Sequence, residues 1–309
     1  MSPFLSPDSR VLPPANPTGE DALDRGVLRL ALPKGRMQDS IGQLLADAGL
    51  ALRSGERSYR PDLGRDDLEA KVLRPQNAVR MLAEGSRDLG FAGADWVAEL
   101  DADIVELLDT ELDPVRLVVA APPELLEDGR LPARPLRLAG EFKRLCGNWI
   151  ATSGLDLRFV RAYGATEVFP PEDADAICDL VHSGATLRAN GLVEVETILK
   201  SSTRLFASRQ ALQDPEKADA IQDFTLLLRS VLDARRRVML ELNCEAPALA
   251  RITGALPCMR EATVAGLAGG HGFAVKAAVP REQLSELIPQ LKRLGGCDLI
   301  VTNPSQIVT

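Results

Sequence analysis

Apolar positions alternate along the chain between two periods. Residues 27–32 (Val-Leu-Arg-Leu-Ala-Leu) form a strand-like run. Residues 39–49 then repeat Ile41, Leu44, Leu45 and Ala48 at helical spacing before Gly49, a natural helix stop. The same alternation gives a strand at 68–73, a short helix at 78–84, a buried strand at 88–95, a helix at 96–100 and a strand at 104–108. A second α/β unit opens with a strand at 115–121, passes through a proline-rich connection at 122–135, and continues with a strand at 136–139, a helix entered at 140–143 and a strand at 158–161. Residues 176–181 read as a short buried segment and 187–192 as an apolar helix-like run. Residues 193–199 and 203–208 read as strands. Residues 215–237 predict a long amphipathic helix with Ile221, Phe224, Leu227, Leu228, Val231 and Leu232 on one side, which packs back on the first unit. The tail spells strand 238–242, helix 247–254, strands 262–267 and 272–279, helix 281–294 and strand 297–302. That is βαββαβ, a ferredoxin-like order.

At 309 residues the chain has room for two or three domains. The pattern divides it into an extension at 1–26, read as a disordered or loosely attached segment, and a first α/β domain at 27–112 that takes back 209–235. A second α/β domain at 113–208 and a C-terminal domain at 236–309 follow. The net charge of -8 argues against a nucleic-acid binder, so anionic ligands would need local cationic patches. Five scattered cysteines with no CxxC pair, and only two histidines, fit reduced thiols rather than a disulfide framework or structural zinc. No apolar run is long enough to span a membrane, and residues 1–26 lack a basic segment followed by an apolar core. A cytoplasmic location is the expectation.

The chemistry concentrates at residues 163–192. After the segment 176–181 comes His182-Ser-Gly-Ala-Thr186, a small-residue loop leading into an apolar helix-like run. Gly184 lets backbone approach an anion closely, and the amides around Ala185, with the Ser183 and Thr186 hydroxyls, can donate to phosphate oxygens. Asp175 and Asp179, taken as four apart on a helical turn, share a face and suit sugar hydroxyls or a bound Mg²⁺. By itself Ser-Gly-x-Thr also suits an ordinary loop and N-cap, and the aspartates a solvated helix face. Upstream, Lys34, Arg36, Arg74, Gly93 and Asp95 all fall at predicted strand C-terminal ends, where open α/β sheets bind ligands.

The whole run closely resembles the signature of the ATP phosphoribosyltransferase family. Gly164, Glu167, Val168 and residues 174–192 (Ala-Asp-Ala-Ile-Cys-Asp-Leu-Val-His-Ser-Gly-Ala-Thr-Leu-Arg-Ala-Asn-Gly-Leu) carry it. Leu-Pro-Lys-Gly-Arg at 32–36 and the stretches at 74–77 and 90–95 are similar to the family's nucleotide-side loops. The stretch at 256–264 resembles the long form, which has a C-terminal regulatory domain. The resemblance covers 28–308. It implies two α/β domains of the periplasmic-binding-protein type with the active site in their cleft, plus that regulatory domain.

The implied reaction joins ATP, through adenine N1, to 5-phosphoribosyl 1-pyrophosphate in the first step of histidine biosynthesis, with Mg²⁺ arriving on the substrate phosphates. Asp175, Asp179 and residues 183–186 would take the phosphoribosyl substrate, and Arg36, Arg74, Gly93 and Asp95 the ATP. Glu167, Lys34 and Arg36 would act on the reacting centre. Glu241 and Thr263 would lie near histidine bound as feedback inhibitor, though Thr263 also suits a plain edge-strand start. The family is typically a dimer that forms hexamers. Asn77, Gly140 and Lys143 depart from the family pattern. His182 is expected to flank the loop without catalysing, and His271 to be a loop residue. Two other readings are a non-catalytic small-molecule-binding paralogue and a phosphoribosyltransferase acting on a free base. The intact loop run speaks against the first. Two adjacent acids before the loop, which the second usually has, are lacking.

Overall fold

The computed structural model describes residues 26–53 and 59–308. The extension expected at 1–26 lies outside the described residues except for Gly26. The first lobe runs β1 (Leu28–Pro33), α1 (Met37–Asp47), β2 (Leu68–Leu73), α2 (Pro75–Ala83), β3 (Leu89–Gly93) and α3 (Ala94–Leu100) into a long β4 (Ile104–Ala121). The second lobe follows with β5 (Leu136–Gly140), α4 (Lys143–Ser153), β6 (Leu157–Arg161), β7 (Ala176–Val181) and α5 (Ala185–Ala189), then returns along β8 (Val193–Ser208) to α6 (Arg209–Gln213) and α7 (Pro215–Arg236). Together the strands make one eight-stranded sheet in the order β2-β1-β3-β8-β4-β7-β5-β6.

Two strands serve both lobes. Residues 104–108 and 115–121 were expected as separate strands, as were 193–199 and 203–208. Each pair is one continuous strand, and β4 lies antiparallel to β8 from Ile104↔Ser208 to Ala121↔Val193. The sequence 109–114 (Asp-Thr-Glu-Leu-Asp-Pro) is polar enough to read as a loop. It is a bulged kink inside β4, with Glu111 and Asp113 in the left-handed region at φ 57° and 49°. Side chains stitch the kink to β8. The Thr110 hydroxyl donates to Thr203 O at 2.5 Å, and the Ser202 hydroxyl to Asp109 Oδ1 at 2.7 Å. The domain division also shifts: Thr203–Ala207 pairs with β3, so the end of β8 belongs to the first lobe rather than the second.

Three cores fill the lobes. On one sheet face α1 and α7 bury Ile41, Leu44, Leu45, Phe224 and Leu228 against Leu30, Phe91 and Leu205, as the amphipathic pattern requires. The other face carries a core continuous across both lobes, with Val79, Leu82 and Trp96 joining Phe142, Cys146 and Trp149 over Leu138, Cys178 and Phe206. A small core of Val118, Ile177, Val181, Leu187 and Leu192 underlies α5. All five cysteines are free thiols.

The helix α7 is anchored at its start. Asp214 caps it by accepting from the amides of Glu216 and Lys217, and Pro215 occupies the first turn. Lys217 Nζ then reaches Asp88 Oδ1 at 3.0 Å, and Arg29 also donates to that carboxylate from its amide and guanidinium.

The C-terminal domain is β9 (Arg237–Cys244), α8 (Ala246–Ala255), β10 (Thr263–Gly266), β11 (Phe273–Pro280), α9 (Leu284–Arg293) and β12 (Gly296–Thr302). Its antiparallel sheet has the order β10-β11-β9-β12, the ferredoxin-like arrangement expected. α7 passes into β9 without a loop. Arg281 donates to the carbonyls of Arg235 and Arg237 at that junction.

Burial pulls the Asp88 carboxyl upward, but the bonds from Arg29 and Lys217 hold it below the usual carboxylate range. Its stabilisation is therefore complete above a pH of about 4 and is lost as pH falls through the lowered folded value. Asp88→Asn is expected to cost about 3 kcal/mol at neutral pH, because two cations lose a buried partner, and to flatten the acid limb of stability. Urea denaturation at pH 7 and pH 3 measures both effects.

Candidate active site

The parallel strands of the two lobes point their C-terminal ends at one another. β1, β2 and β3 end at Pro33, Leu73 and Gly93, and β5, β6 and β7 end at Gly140, Arg161 and Val181. Between them lies a cavity of about 350 Å³. Arg36 enters it from the first lobe. Glu167, Asp179 and residues 182–187 line it from the second.

The loop after β7 is held from several sides. His182 Nδ1 donates to Pro114 O at 2.8 Å, tying the loop to the β4 kink. This is a structural use of His182. Gly184 sits at φ 72°, and a Cβ there would meet Arg188 Nη1 at 2.9 Å and Glu194 Oε1 at 3.1 Å. Arg188 Nη1 donates to Ser183 O at 3.1 Å. Behind it, Arg116 pairs with Glu194 and holds that carboxyl below its ordinary range. Leu187 and Leu192 anchor the far side in the core. The first turn of α5 leaves amides without intrahelical acceptors; that of Ala185 donates to Ser183 Oγ at 3.3 Å, and Ser183 and Thr186 are exposed. Rigid backing and open donors are what a phosphate cradle requires.

Two acids face this loop. Asp179 accepts a short hydrogen bond from the buried Thr166 hydroxyl and another from Leu180 N at 2.7 Å. Burial pushes its carboxyl above the usual range, and the neighbouring Glu167 charge adds to the shift. Glu167 sits on the helical turn Thr166–Val168 and has no hydrogen bond or ion pair among the described residues.

Several expected site residues lie elsewhere. Residues 176–181 are a β-strand, so Asp175, just before it, and Asp179, its fourth residue, stand about 13 Å apart along the chain at about 3.3 Å per residue, and not on one helical turn. Asp175 accepts from Arg137 N at 2.7 Å and Nε at 3.2 Å and borders a different cavity with Pro170 and Pro171. Burial opposes its ionisation, but those Arg137 bonds hold the carboxyl below its ordinary value. Asp175 thus braces the second lobe and lies outside the cavity that Asp179 lines.

Asp95 is 3% exposed and accepts from the Ser201 hydroxyl at 2.6 Å on the crossing strand β8. Burial raises its carboxyl. Gly93 makes room for it, since a Cβ there would lie 2.6 Å from Asp95 Oδ2. Both therefore support the cleft from behind. Arg74 stands exposed at the start of α2. Lys34 lies outside the cavity, donating to the Tyr59 hydroxyl at 3.0 Å.

Gly140, a departure from the family pattern, has a packing cause, because a Cβ there would lie 2.8 Å from Cys178 O. In the C-terminal domain, Thr263 is the register partner of Lys276 and Lys276 that of Glu241. The two expected effector residues thus share one row of the sheet, with Lys276 Nζ bonded to Glu241 Oε1 at 2.7 Å between them.

Sequence reasoning missed Thr166, which adjoins Glu167 and was within reach. It also missed the Arg116–Glu194 pair, whose members are 78 residues apart and give no local signal. Among the described residues no group of three or more His, Cys, Asp or Glu gathers as a metal cage.

The fold and cavity define a two-lobed α/β protein with a cleft at facing strand ends and a ferredoxin-like tail. Comparisons with known proteins make this specific. The family profile described as ATP phosphoribosyltransferase matches residues 74–230, and that described as HisG, C-terminal domain, matches 234–305. A relative from Chlorobium luteolum named ATP phosphoribosyltransferase is 38% identical over 274 residues, covering 87% of this chain and 93% of its own. One of the same name from Pelotomaculum thermopropionicum is 36% identical, covering 88% and 96%. The solved ATP phosphoribosyl transferase (HisG:HisZ) complex from Thermotoga maritima shares the fold, with a TM-score of 0.58 at 24% identity over 66% of this chain and 97% of that one. The chain belongs to the ATP phosphoribosyltransferase family, in the long form that carries the C-terminal domain.

Gly184→Ala is expected to cost about 1 to 2 kcal/mol through left-handed strain alone. It should also push Arg188 off Ser183 and weaken phosphate binding at the loop. Thermal melting with and without inorganic phosphate reads both: the variant melts lower and gains less from phosphate than the parent.

Proposed function

We propose that this chain transfers the 5-phosphoribosyl group of 5-phosphoribosyl 1-pyrophosphate to N1 of ATP, releasing pyrophosphate, the first step of histidine biosynthesis. The observation that carries this reading is the single cavity joining Arg36 of one lobe to Asp179, Glu167 and the loop 183–186 of the other. Each demand of the reaction has a candidate there. The 5′-phosphate meets the loop amides and the Ser183 and Thr186 hydroxyls. A ribose hydroxyl donates to Asp179, which Thr166 and Leu180 N hold in place. Glu167 supplies an unspent carboxylate beside the anomeric carbon, where positive charge grows as the bond to pyrophosphate breaks. Arg36 meets the departing pyrophosphate, and Lys34 lies outside the cavity on Tyr59.

Adenine N1 carries its own lone pair, so the protein's task is positioning, and no covalent nucleophile is needed. Mg²⁺ would neutralise pyrophosphate charge as the group leaves. The donor set fits a metal carried in on substrate phosphates, with Glu167 as its nearest free carboxylate. Bending at residues 109–114 and 201–203 would close the lobes. On the tail, Glu241, Lys276 and Thr263 offer charged and hydroxyl groups to histidine as a feedback inhibitor. Assembly into dimers and hexamers in the cytoplasm completes the reading.

An assay of the purified protein with ATP, 5-phosphoribosyl 1-pyrophosphate and Mg²⁺, following product absorbance, tests it. Turnover with ATP and none with adenine is expected, and histidine should suppress it. Turnover with adenine alone would instead mark a free-base enzyme. Folded protein that binds both substrates without turnover would mark a non-catalytic paralogue.

Asp179→Asn is expected to lower kcat/KM for the phosphoribosyl substrate by about 100-fold, in the range of a lost electrostatic contact at a reacting centre. Because Asp179 is raised and must be ionised to accept, the parent's kcat/KM should fall on the acid side above the ordinary carboxylate range of about 4. Asp179→Asn should lack that limb. A parent profile flat down to pH 4 would remove Asp179 from this role.

A further inference from the structure

A second cavity, of about 480 Å³, lies between α2, α3 and α4. It sits on the opposite sheet face from the first, over the core of Trp96 and Phe142 rather than that of Val181 and Leu187. Three exposed cations enter it from three elements: Arg80 from α2, Lys143 from the first turn of α4, and Arg161 from the end of β6. None has an ion pair or a hydrogen bond to a carboxylate among the described residues; Arg161 stacks on Tyr163, 5.1 Å from the ring centroid, and attracts Glu141 on the cavity wall. Cations nearby are spent. Arg144 pairs with Asp101 and caps Ala98 O, and Arg137 pairs with Asp175. Arg80, Lys143, Arg144 and Arg161 outnumber Glu99 and Glu141 on the cavity wall, and the excess positive charge costs Coulomb energy that a bound polyanion relieves. Lys143 adds to that cost, since a cation at a helix N-terminus opposes the helix dipole. The amides beside it are already capped by the Glu99 carboxylate, which accepts from Arg144 N and Leu145 N at about 3 Å, so the anion's contacts there are side chains.

The two cavities meet at adjacent strand ends. Gly140 is the register partner of Cys178, so Glu141, which borders the second cavity, stands beside Asp179 of the first. Burial pushes the Glu141 carboxyl up, against the pull of Arg161 and Arg74.

We propose that Arg80, Lys143 and Arg161 form a polyphosphate subsite that takes the triphosphate tail of the nucleotide substrate, across the β5 and β7 ends from the ribose-phosphate cradle. This rests on the reaction proposed above and names where one substrate's charge is held. The volume exceeds what one phosphate fills, and cations on three walls suit a chain of phosphates better than a single one. Sequence alone gave Lys143 only as a departure from the family pattern.

Calorimetric titration of tripolyphosphate, ATP, AMP and 5-phosphoribosyl 1-pyrophosphate into the full chain tests this. Arg80→Gln and Lys143→Gln should each weaken tripolyphosphate and ATP by about tenfold, the size of one lost charge-assisted contact, with AMP and the phosphoribosyl substrate within about twofold. Lys143→Arg should restore most of the loss. Equal losses for ATP and AMP, or tripolyphosphate affinity unchanged by both Gln variants, would overturn the subsite. Binding and turnover separate the two readings. Tripolyphosphate binding lost in the variants of a protein that shows no turnover keeps the subsite and removes the reaction. Turnover with an ATP KM that neither Gln variant moves keeps the reaction and removes the subsite.

Discussion

The antiparallel pairing of β4 with β8 is the constraint on which the molecule depends. These strands occupy the centre of the sheet and cross from one lobe to the other, so β3 attaches to β8 on one side and β7 to β4 on the other. Crossing requires a kink, and a kink in a central strand strands backbone donors. Asp109 and Thr110 resolve this by accepting from Glu111 N at 2.8 Å and Leu112 N at 3.2 Å. Asp113 turns back and accepts from the Ser40 hydroxyl at 2.5 Å and the Thr203 hydroxyl at 3.1 Å, so the kink is also fastened to α1. The facing strand ends, and hence the cavity, follow from this crossing.

Electrostatic costs are distributed unevenly over the structure. Away from the cleft, buried carboxylates are compensated: Asp88 by Arg29 and Lys217, Glu99 by the α4 amides, Asp175 by Arg137. At the cleft they are not. Asp179 is raised by burial with only neutral donors, Glu167 stands unbonded beside it, and three cations across the sheet lack ion pairs. Uncompensated charge of this kind concentrates at functional clefts more often than elsewhere.

What the sequence made legible follows from locality. The loop 183–186, with Glu167 and Asp179, is one consecutive run, so its chemistry and order are visible together, and the helical spacing of α7 and the order of the tail are equally local. The errors arise where a nonlocal fact decides. Asp175 was grouped with Asp179 because a four-residue spacing was read with a helical period, whereas the segment pairs with β4 and β5 as a strand. The polar run 109–114 looked like a loop because its partners are in β8, about 90 residues on. Asp95 sits at a strand end, as its position predicts, but strand-end position does not reveal that Ser201 holds it facing inward.

The C-terminal domain is joined to the cleft through one lobe only. α7 passes directly into β9, Arg281 grips its last carbonyls, and Ile307 N donates back to Ser230 O at 2.9 Å, so domain and helix are fastened at both ends of the tail. The same helix buries Phe224, Leu228 and Val231 in the core shared with Leu30 and Leu32 of β1. β1 leads straight to Lys34 and Arg36. The cradle, by contrast, rests on the separate small core of Val118, Ile177 and Leu187 and has no member from α7. One packed path from the tail reaches Arg36 through α7 and β1, and Arg236 also pairs with Glu111 at 2.8 Å in the β4 kink, whose Pro114 carbonyl holds His182 of the phosphate loop. The tail is therefore fastened to α7 and, through Glu111, to the β4 kink, and the pairing of β4 with β8 sets how far one lobe can turn against the other.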